Sequence, residues 1–127
     1  MKIVAQGIDL IECARIREIW ERHADRFLDR LLTPDEVRHV QRYKNAVPSL
    51  AGRFAAKEAI LKVLGTGWRG QIAWRDMEIL NNANGQPHVT LSGESQRVAA
   101  QLGITRILIS ITHTEHYAAA SAIGVSE

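Results

Sequence analysis

Two carboxylates and a lysine from separate parts of the chain have the chemistry of a site for a metal ion and a diphosphate. Asp9 follows a short apolar segment, and Glu58 and Lys62 stand four residues apart in SLAGRFAAKEAILKVLGTG. Carboxylate oxygens suit Mg²⁺, which usually shares its coordination shell with substrate phosphates. Residues four apart on a helix share a face, so Lys62 would reach the same phosphate. The amides of the Gly65-Thr66-Gly67 turn could hold it as well.

The charged residues of the same segment also fit a helix surface that has no function. Arg53 and Lys57 form one pair at i, i+4 spacing, and Glu58 and Lys62 form another. A Glu-to-Lys pair in this orientation stabilises a helix by only a few tenths of a kcal/mol and is common on solvated faces. The residues alone therefore leave both interpretations open.

Three arginines fall on one line of the helix that we predict from Ile11 to about Leu31; they are Arg15, Arg22 and Arg26. An acidic partner could dock on that line, although a solvated charged face explains it equally. Aromatic residues do not alternate with these arginines on an exposed face, which argues against single-stranded nucleic acid. The helix would begin at a capping box, because Asp9 is followed three positions later by Glu12.

The polar residues of SITHT end a predicted strand near the C-terminus. His113 lies on the side of the strand continued from Ile111, where a lone histidine is more often a residue at the edge of the core than a reactive one. Ser110 and Thr114 could serve only the turn that follows. No metal-ligand spacing connects His113 with the other histidines.

The segments that must position these residues alternate between extended and helical patterns. A strong capping box, Thr33 with Glu36, opens a second helix that we expect to end near Tyr43. The other predicted elements are a strand around Ile3 to Ile8, a central helix from Ser49 to a stop at Gly65, a hairpin of Met77 to Leu80 with Pro87 to Leu91, a short helix from Ser92 to Gly103, and a hairpin of Arg106 to Thr112 with Tyr117 to Val125. We therefore expect an α+β fold with short antiparallel strands on a long central helix.

Length and composition limit the class of protein. A chain of 127 residues predicts one domain, and 46% hydrophobic with 24% charged residues is an ordinary globular composition. We expect a cytoplasmic protein, because no apolar run approaches a membrane span and the N-terminus lacks a signal-peptide pattern. Cys13 is the single cysteine, which excludes an intrachain disulfide. The net charge of +2 does not by itself indicate nucleic acid binding.

Two segments carry a resemblance to a known family: GID at Gly7 to Asp9 and FAAKEAILK at Phe54 to Lys62. They resemble the two signature motifs of the phosphopantetheinyl transferases. The flanking AGRF, GTG and SITHT are similar to those of the short bacterial subgroup, and the resemblance extends over essentially the whole chain. GxD or KEA alone would be weak, but the combination is specific.

The resemblance implies transfer of 4′-phosphopantetheine from coenzyme A to a serine of apo acyl carrier protein, with release of adenosine 3′,5′-bisphosphate. It implies that Asp9 and Glu58 bind Mg²⁺ and that Lys62 is the motif lysine, which would offset charge on the leaving bisphosphate. Glu58 is also the candidate base for the serine, directly or through water. Because carrier proteins are acidic, the arginine line would be their docking site.

The family is similar in forming a homotrimer with the coenzyme between subunits. The residues that would line that cleft are Arg53, Lys62, Gly65, Thr66, Gly67, Ser110, His113 and Thr114. No role is assigned to the loop from Trp68 to Trp74. Two other hypotheses remain at this stage: a magnesium-dependent hydrolase of nucleotide pyrophosphates, and a non-catalytic binder of an acidic protein.

Overall fold

The computed structural model describes residues 1–65 and 72–127, and its elements confirm the α+β class. In chain order they are strand β1 (Lys2–Glu12), helices α1 (Cys13–His23), α2 (Asp25–Leu31), α3 (Pro34–Val40) and α4 (Val47–Leu64), a 3₁₀ turn (Trp74–Asp76), strands β2 (Met77–Asn81) and β3 (Pro87–Leu91), helix α5 (Gly93–Gln101), and strands β4 (Arg106–His113) and β5 (Tyr117–Ser126). Both predicted hairpins are confirmed, since β2 pairs with β3 and β4 pairs with β5, each antiparallel. Within the described residues, no helix is long and apolar enough to cross a membrane.

Helix α4 crosses a three-stranded antiparallel sheet in which the order is β1-β5-β4. At one sheet edge, a Cβ on Gly52 of α4 would lie 2.8 Å from Cγ2 of Ile111 in β4. At the other edge, a Cβ on Gly7 of β1 would lie 2.2 Å from the carbonyl oxygen of Ala59 in α4. Neighbouring strands are about 4.8 Å apart, so the two edges of the sheet are about 10 Å apart, with Gly52 over one edge and Ala59 over the other.

The sequence of α4 explains both its bounds and its central position. Pro48 lies in the first turn, where its missing N–H does not weaken the helix. Gly65 adopts φ +74°, the left-handed conformation that ends a helix, so the predicted stop is confirmed. Small alanines let neighbouring elements approach closely, and fourteen of the eighteen residues are buried.

The opposite face of the sheet carries apolar side chains that a single chain leaves exposed. Ile8 and Leu10 of β1 are 66% and 67% exposed, and Leu108 of β4 is 40% exposed. The strand registers place all three on the face away from α4, whereas Ile107 and Ile111 face the helix as the alternation predicted. This sheet face is therefore a candidate interface.

Three predictions about the helices need correction. The helix expected from Ile11 to Leu31 is two helices separated at Ala24, where a non-glycine residue adopts φ +48°. Ile11 belongs to β1, and the Asp9 capping box is wrong because α1 begins at Cys13 without a side-chain cap. The capping box at Thr33 is confirmed, although α3 ends at Val40, before the expected end at Tyr43.

Candidate active site

A glycine brings the two predicted carboxylates together. The missing side chain of Gly7 lets β1 lie directly against α4, because a Cβ there would overlap Ala59 O and lie 3.0 Å from Lys62 Cβ. Asp9 is two residues further along β1 and therefore points to the same face of the sheet. Glu58 and Lys62 lie on the adjoining turns of α4. The close strand–helix approach thus places residues 49 positions apart at one edge of the sheet.

Lys62 bridges the strand and the helix directly. Its Nζ donates to the carbonyl oxygen of Ile8 at 2.7 Å and lies 3.4 Å from Oδ1 of Asp9. The Lys62 side chain is 54% exposed, whereas that of Asp9 is 18% exposed. The ammonium group is therefore held beside the carboxylate, and it remains accessible to a ligand in solvent.

Glu58 lies within electrostatic range of Asp9. Burial raises the pKa of the Glu58 carboxyl, and the negative charge of Asp9 raises it further. Lys62 and Arg15 lower it, so two cations also lie within electrostatic range. Two carboxylates that repel each other in a partly buried position are an arrangement that a divalent cation would stabilise.

These two residues provide part of a coordination shell. In residues 1–65 and 72–127, no cluster of three or more His, Cys, Asp or Glu side chains is placed to hold a metal ion. An ion at Asp9 and Glu58 would take its other ligands from water or from a bound substrate, which is the usual situation for Mg²⁺ at phosphate sites. The donor set therefore fits Mg²⁺ and does not fit a fully protein-enclosed metal site.

A second polar group lies at the other edge of the sheet. Arg53 and His113 line a cavity of about 220 Å³, together with His39, Tyr43, Ser49, Asn81, Gly85, Pro87 and Ile111. Arg53 is buried, contrary to a solvated helical face, and donates to Ile79 O at 3.3 Å and to Asn81 Oδ1 at 2.9 Å. Its Nε is buried without a hydrogen-bond partner among the described residues. A buried guanidinium with one unsatisfied donor in a cavity is suited to an anion.

The remaining predicted coenzyme residues do not join either group. Ser110 is exposed and faces away from α4, since alternate residues of β4 point to opposite faces. Thr114 closes the β4–β5 turn, where its Oγ1 accepts from the N–H groups of His116 and Tyr117. Gly65 is exposed at the end of α4, and the predictions for Thr66 and Gly67 lie outside the described residues.

The predicted arginine line is divided between two helices. Arg15 and Arg22 lie on α1, and Arg26 lies on α2 beyond the break at Ala24. Arg22 pairs with the carboxylate of Glu18 at 3.1 Å, with both side chains about two-thirds exposed. The positive charge at Arg22 is thus partly balanced in the free chain.

Arg26 stands at an apolar cavity that the sequence did not predict. The cavity measures about 410 Å³ and is lined by Ile19, His23, Arg26, Phe27, Arg30, Leu31, Phe54 and Trp74. The rings of Phe54 and Trp74 stack inside it with centroids 5.3 Å apart. Sequence reasoning also missed His39 and Asn81 beside Arg53, because no local pattern connects α3, α4 and β2.

Glu36 is another residue whose second role was missed. Its position in the Thr33 capping box was evident from spacing, but the same carboxylate also lies 2.7 Å from Nζ of the buried Lys57. The sequence offered one signal for this role, a lysine beside small residues in α4, but an exposed helix can contain the same pattern.

Comparisons with known proteins identify the family of this chain. A model of the 4′-phosphopantetheinyl transferase superfamily matches residues 5–122. A holo-[acyl-carrier-protein] synthase from Koribacter versatilis is 46% identical over 121 residues, which cover 95% of this chain and 97% of the relative.

Two solved structures are similar over nearly their whole length. The holo-[acyl-carrier-protein] synthase of Neisseria meningitidis has a TM-score of 0.88 and 31% identity, covering 98% of this chain and 99% of its own. That of Helicobacter pylori, in complex with coenzyme A, has a TM-score of 0.84 and 30% identity, covering 95% and 100%. Since family, relatives and fold agree over almost all of the sequence, this chain belongs to the 4′-phosphopantetheinyl transferase superfamily and, within it, to the holo-[acyl-carrier-protein] synthases.

Proposed function

We propose that this chain transfers 4′-phosphopantetheine from coenzyme A to a serine of apo acyl carrier protein in a magnesium-dependent reaction in the cytoplasm. Adenosine 3′,5′-bisphosphate is the second product. The observation that carries the proposal is the meeting of Asp9, Glu58 and Lys62 where β1 contacts α4. These are the residues that the family motifs contribute.

Asp9 and Glu58 would hold Mg²⁺, because they are adjacent oxygen donors whose mutual repulsion the ion would relieve. When bound, the ion supplies positive charge that neutralises and orients the diphosphate of the coenzyme. Lys62 carries the complementary charge on the protein itself. Its accessible ammonium, now on Ile8 O and Asp9, is able to turn toward the departing bisphosphate and stabilise its charge.

Glu58 is our candidate for receiving the proton of the attacking serine, directly or through a water molecule. Burial and the charge of Asp9 raise the pKa of its carboxyl when no cation is bound, and Mg²⁺ would oppose that shift, so a water molecule between Glu58 and the serine is the route compatible with both roles. Its position on α4 is fixed by the packing of Ala59 against Gly7. The reaction then needs only that the serine be delivered to this face of the helix.

The coenzyme site requires more than one chain in this proposal. The Asp9 group lies at the β1 edge of the sheet, and Arg53 with His113 lies at the β4 edge. In a cyclic oligomer unlike surfaces meet, so the β1 edge of one subunit can face the β4 edge of the next. Arg53 and His113 would then bind a coenzyme phosphate whose diphosphate lies on the neighbouring subunit.

A homotrimer is the assembly that we propose. The exposed Ile8, Leu10 and Leu108 on the outer sheet face give three copies an apolar surface to bury around a common axis. Ser110 lies on that same outer face of the sheet. Gly65 follows the end of α4 and Thr114 follows the end of β4, so a second subunit would be able to contact both residues. Thr66 and Gly67 complete the set of coenzyme residues that we propose.

Carrier docking is assigned to α1 and α2 through Arg15, Arg22 and Arg26. The apolar cavity beside Arg26 would take hydrophobic side chains of the carrier, while the arginines bind its acidic residues. Changing Arg15→Glu together with Arg22→Glu should raise the carrier KM and leave coenzyme affinity almost unchanged. An equal loss of both would remove the docking role.

One experiment separates the proposal from its alternatives. The purified protein is mixed with coenzyme A, Mg²⁺ and an apo carrier protein, and the carrier is weighed by mass spectrometry. Gain of the phosphopantetheine mass supports transfer. Loss of coenzyme without that gain would indicate a pyrophosphate hydrolase, and neither change would indicate a non-catalytic binder.

A further inference from the structure

Lys57 and Glu36 form a buried ion pair that the proposed chemistry does not use. Both side chains are completely buried, with Lys57 Nζ 2.7 Å from Glu36 Oε1. An ammonium has three donors, and Lys57 uses the other two on the carbonyl oxygens of Leu31, at 2.6 Å, and Trp74, at 3.1 Å. Every donor of Lys57 is therefore committed to another element of the fold.

Glu36 is committed in the same way. Its Oε1 also accepts from the N–H of Thr33 at 3.0 Å, and its Oε2 accepts from the N–H of Ile79 at 3.1 Å. The pair thus connects α4 with the end of α2, with α3, with the 3₁₀ turn and with β2. Lys57 is the residue of α4 on which these connections converge.

Three of the connected elements, α2, α4 and the 3₁₀ turn, contribute walls of the apolar cavity. Leu31 and Trp74, whose carbonyls Lys57 binds, both line it, and Phe54 of α4 stacks on Trp74. Lys57 is joined to Glu58 by one peptide bond. The hydrogen bonds of one side chain therefore set the cavity walls relative to the helix that carries Glu58 and Lys62.

We propose that Lys57, held by Glu36, is a positioning residue that fixes the cavity walls on α2 and the 3₁₀ turn relative to the reactive face of α4. The inference rests on the proposed function, in which this cavity receives the carrier. Lys57 touches no substrate, so its effect passes through the geometry of its partners. Loss of the bonds to Leu31 and Trp74 should disturb delivery of the serine and leave coenzyme binding intact.

Stability and positioning can be separated at this pair. Removing one partner of a buried ion pair leaves an uncompensated charge and is strongly destabilising, whereas replacing both partners by neutral groups of similar size is often tolerated. Lys57→Met alone should therefore lower the melting temperature considerably. The double change Lys57→Met with Glu36→Gln removes both charges and should recover much of that loss.

The test compares the double variant with the wild-type full chain. Both are assayed well below their melting temperatures for carrier KM and kcat, and coenzyme A binding is measured separately by calorimetry. We expect the double variant to raise carrier KM about tenfold, the lower end of what loss of a supporting contact costs a site. The dissociation constant for coenzyme A should stay within about twofold of the wild type, which by affinity arithmetic is a negligible change.

A wild-type carrier KM in the double variant would overturn the inference, and so would an equal weakening of carrier and coenzyme. Ala99→Gly is the control, since Ala99 is buried on α5 and is not among the residues that line the cavity. It should lower the melting temperature without changing carrier KM.

If the double variant does not fold, Lys57→Arg decides the question. It keeps the charge, but a planar guanidinium cannot place one donor on each of the three oxygens at these distances. A raised carrier KM supports the inference, and an unchanged one overturns it. Absence of transfer by the wild type is a different result, because it would overturn the proposed function.

Discussion

The two charged pairs of α4, Arg53 with Lys57 and Glu58 with Lys62, have the same spacing but opposite environments. Arg53 and Lys57 are 4% and 0% exposed, and the fold itself supplies their hydrogen-bond partners. Glu58 and Lys62 stand at the β1 edge, where Glu58 is half-buried and Lys62 is largely exposed. Lys57 of the first pair is therefore fully committed to the elements around the helix and Arg53 keeps one donor for an anion, whereas the second pair is open to a ligand in solvent.

This difference follows from where each pair lies on the helix circumference. Residues four apart share a face, but Lys57 and Glu58 are neighbours in sequence and point about 100° apart. One face meets α2, α3 and β2, and the other meets β1. A single helix can thus carry a structural charge and a reactive charge on adjacent residues, and sequence spacing does not distinguish the two.

The largest expected effect is a loss of stability, caused by a change at the buried ion pair of Lys57 and Glu36. Glu36→Ala should lower the free energy of unfolding by about 3–5 kcal/mol, because it leaves the Lys57 ammonium buried without its carboxylate. Chemical denaturation at neutral pH measures it. Asp35→Ala is the matched control, since its ion pair with Arg38 is exposed and should contribute at most about 1 kcal/mol. Similar losses for the two variants would contradict the structural role.

The matching change on the reactive side should act on turnover and not on folding. Glu58→Gln keeps the size of the side chain but removes a metal ligand and the candidate base. We expect transfer to fall about 10- to 100-fold at saturating Mg²⁺, with the melting temperature preserved. Unchanged turnover would show that Glu58 is neither ligand nor base.

A third change tests how the reactive side is assembled. Gly7→Ala should cost about 1–3 kcal/mol of stability and reduce transfer, because the new methyl group must push β1 away from the backbone of α4 at Ala59. Gly124→Ala is the control. The atoms nearest to its methyl would be side-chain atoms of Val63 and Ile104, at 2.8 and 2.9 Å, and not backbone atoms as at Gly7. Equal losses of transfer in both variants would show that Gly7 does not set the Asp9 position.

Local signals predicted most elements but not their environments. Gly65, the Thr33 capping box and the turn ending at Gly85, with φ +82°, each follow from backbone preferences of a few residues. The break at Ala24 could not be predicted, because alanine carries no turn signal. The helices on both sides of the break bury residues in the core, Ile16 from α1 and Leu28 from α2.

The candidate site was predicted unevenly for a related reason. Asp9 and Glu58 could be chosen because their oxygen chemistry and the family motifs agree. The burial of Arg53 and Lys57 could not be predicted, because small and charged residues alternate in the same way on a surface helix and on a helix that is enclosed by other elements. Partners such as Glu36 are distant in sequence, and only the tertiary fold brings them to α4.

The smallest effect concerns the cavity around Arg53. Burial lowers the pKa of His39, and the positive charges of Arg53 and Arg42 lower it further. The unfolded chain therefore binds more protons than the folded one between that lowered pKa and the ordinary value, so stability is lost as pH falls through this window. His39→Gln should make the melting temperature less sensitive to acidification from about pH 7.5 to about pH 5.5, by on the order of 1 °C. His116→Gln, at an exposed turn, is the control and should leave the wild-type slope. If His39→Gln keeps the wild-type slope, then burial and the cations of this cavity do not lower the pKa of His39. The contrast between the two sides of α4 would then depend on Lys57 alone.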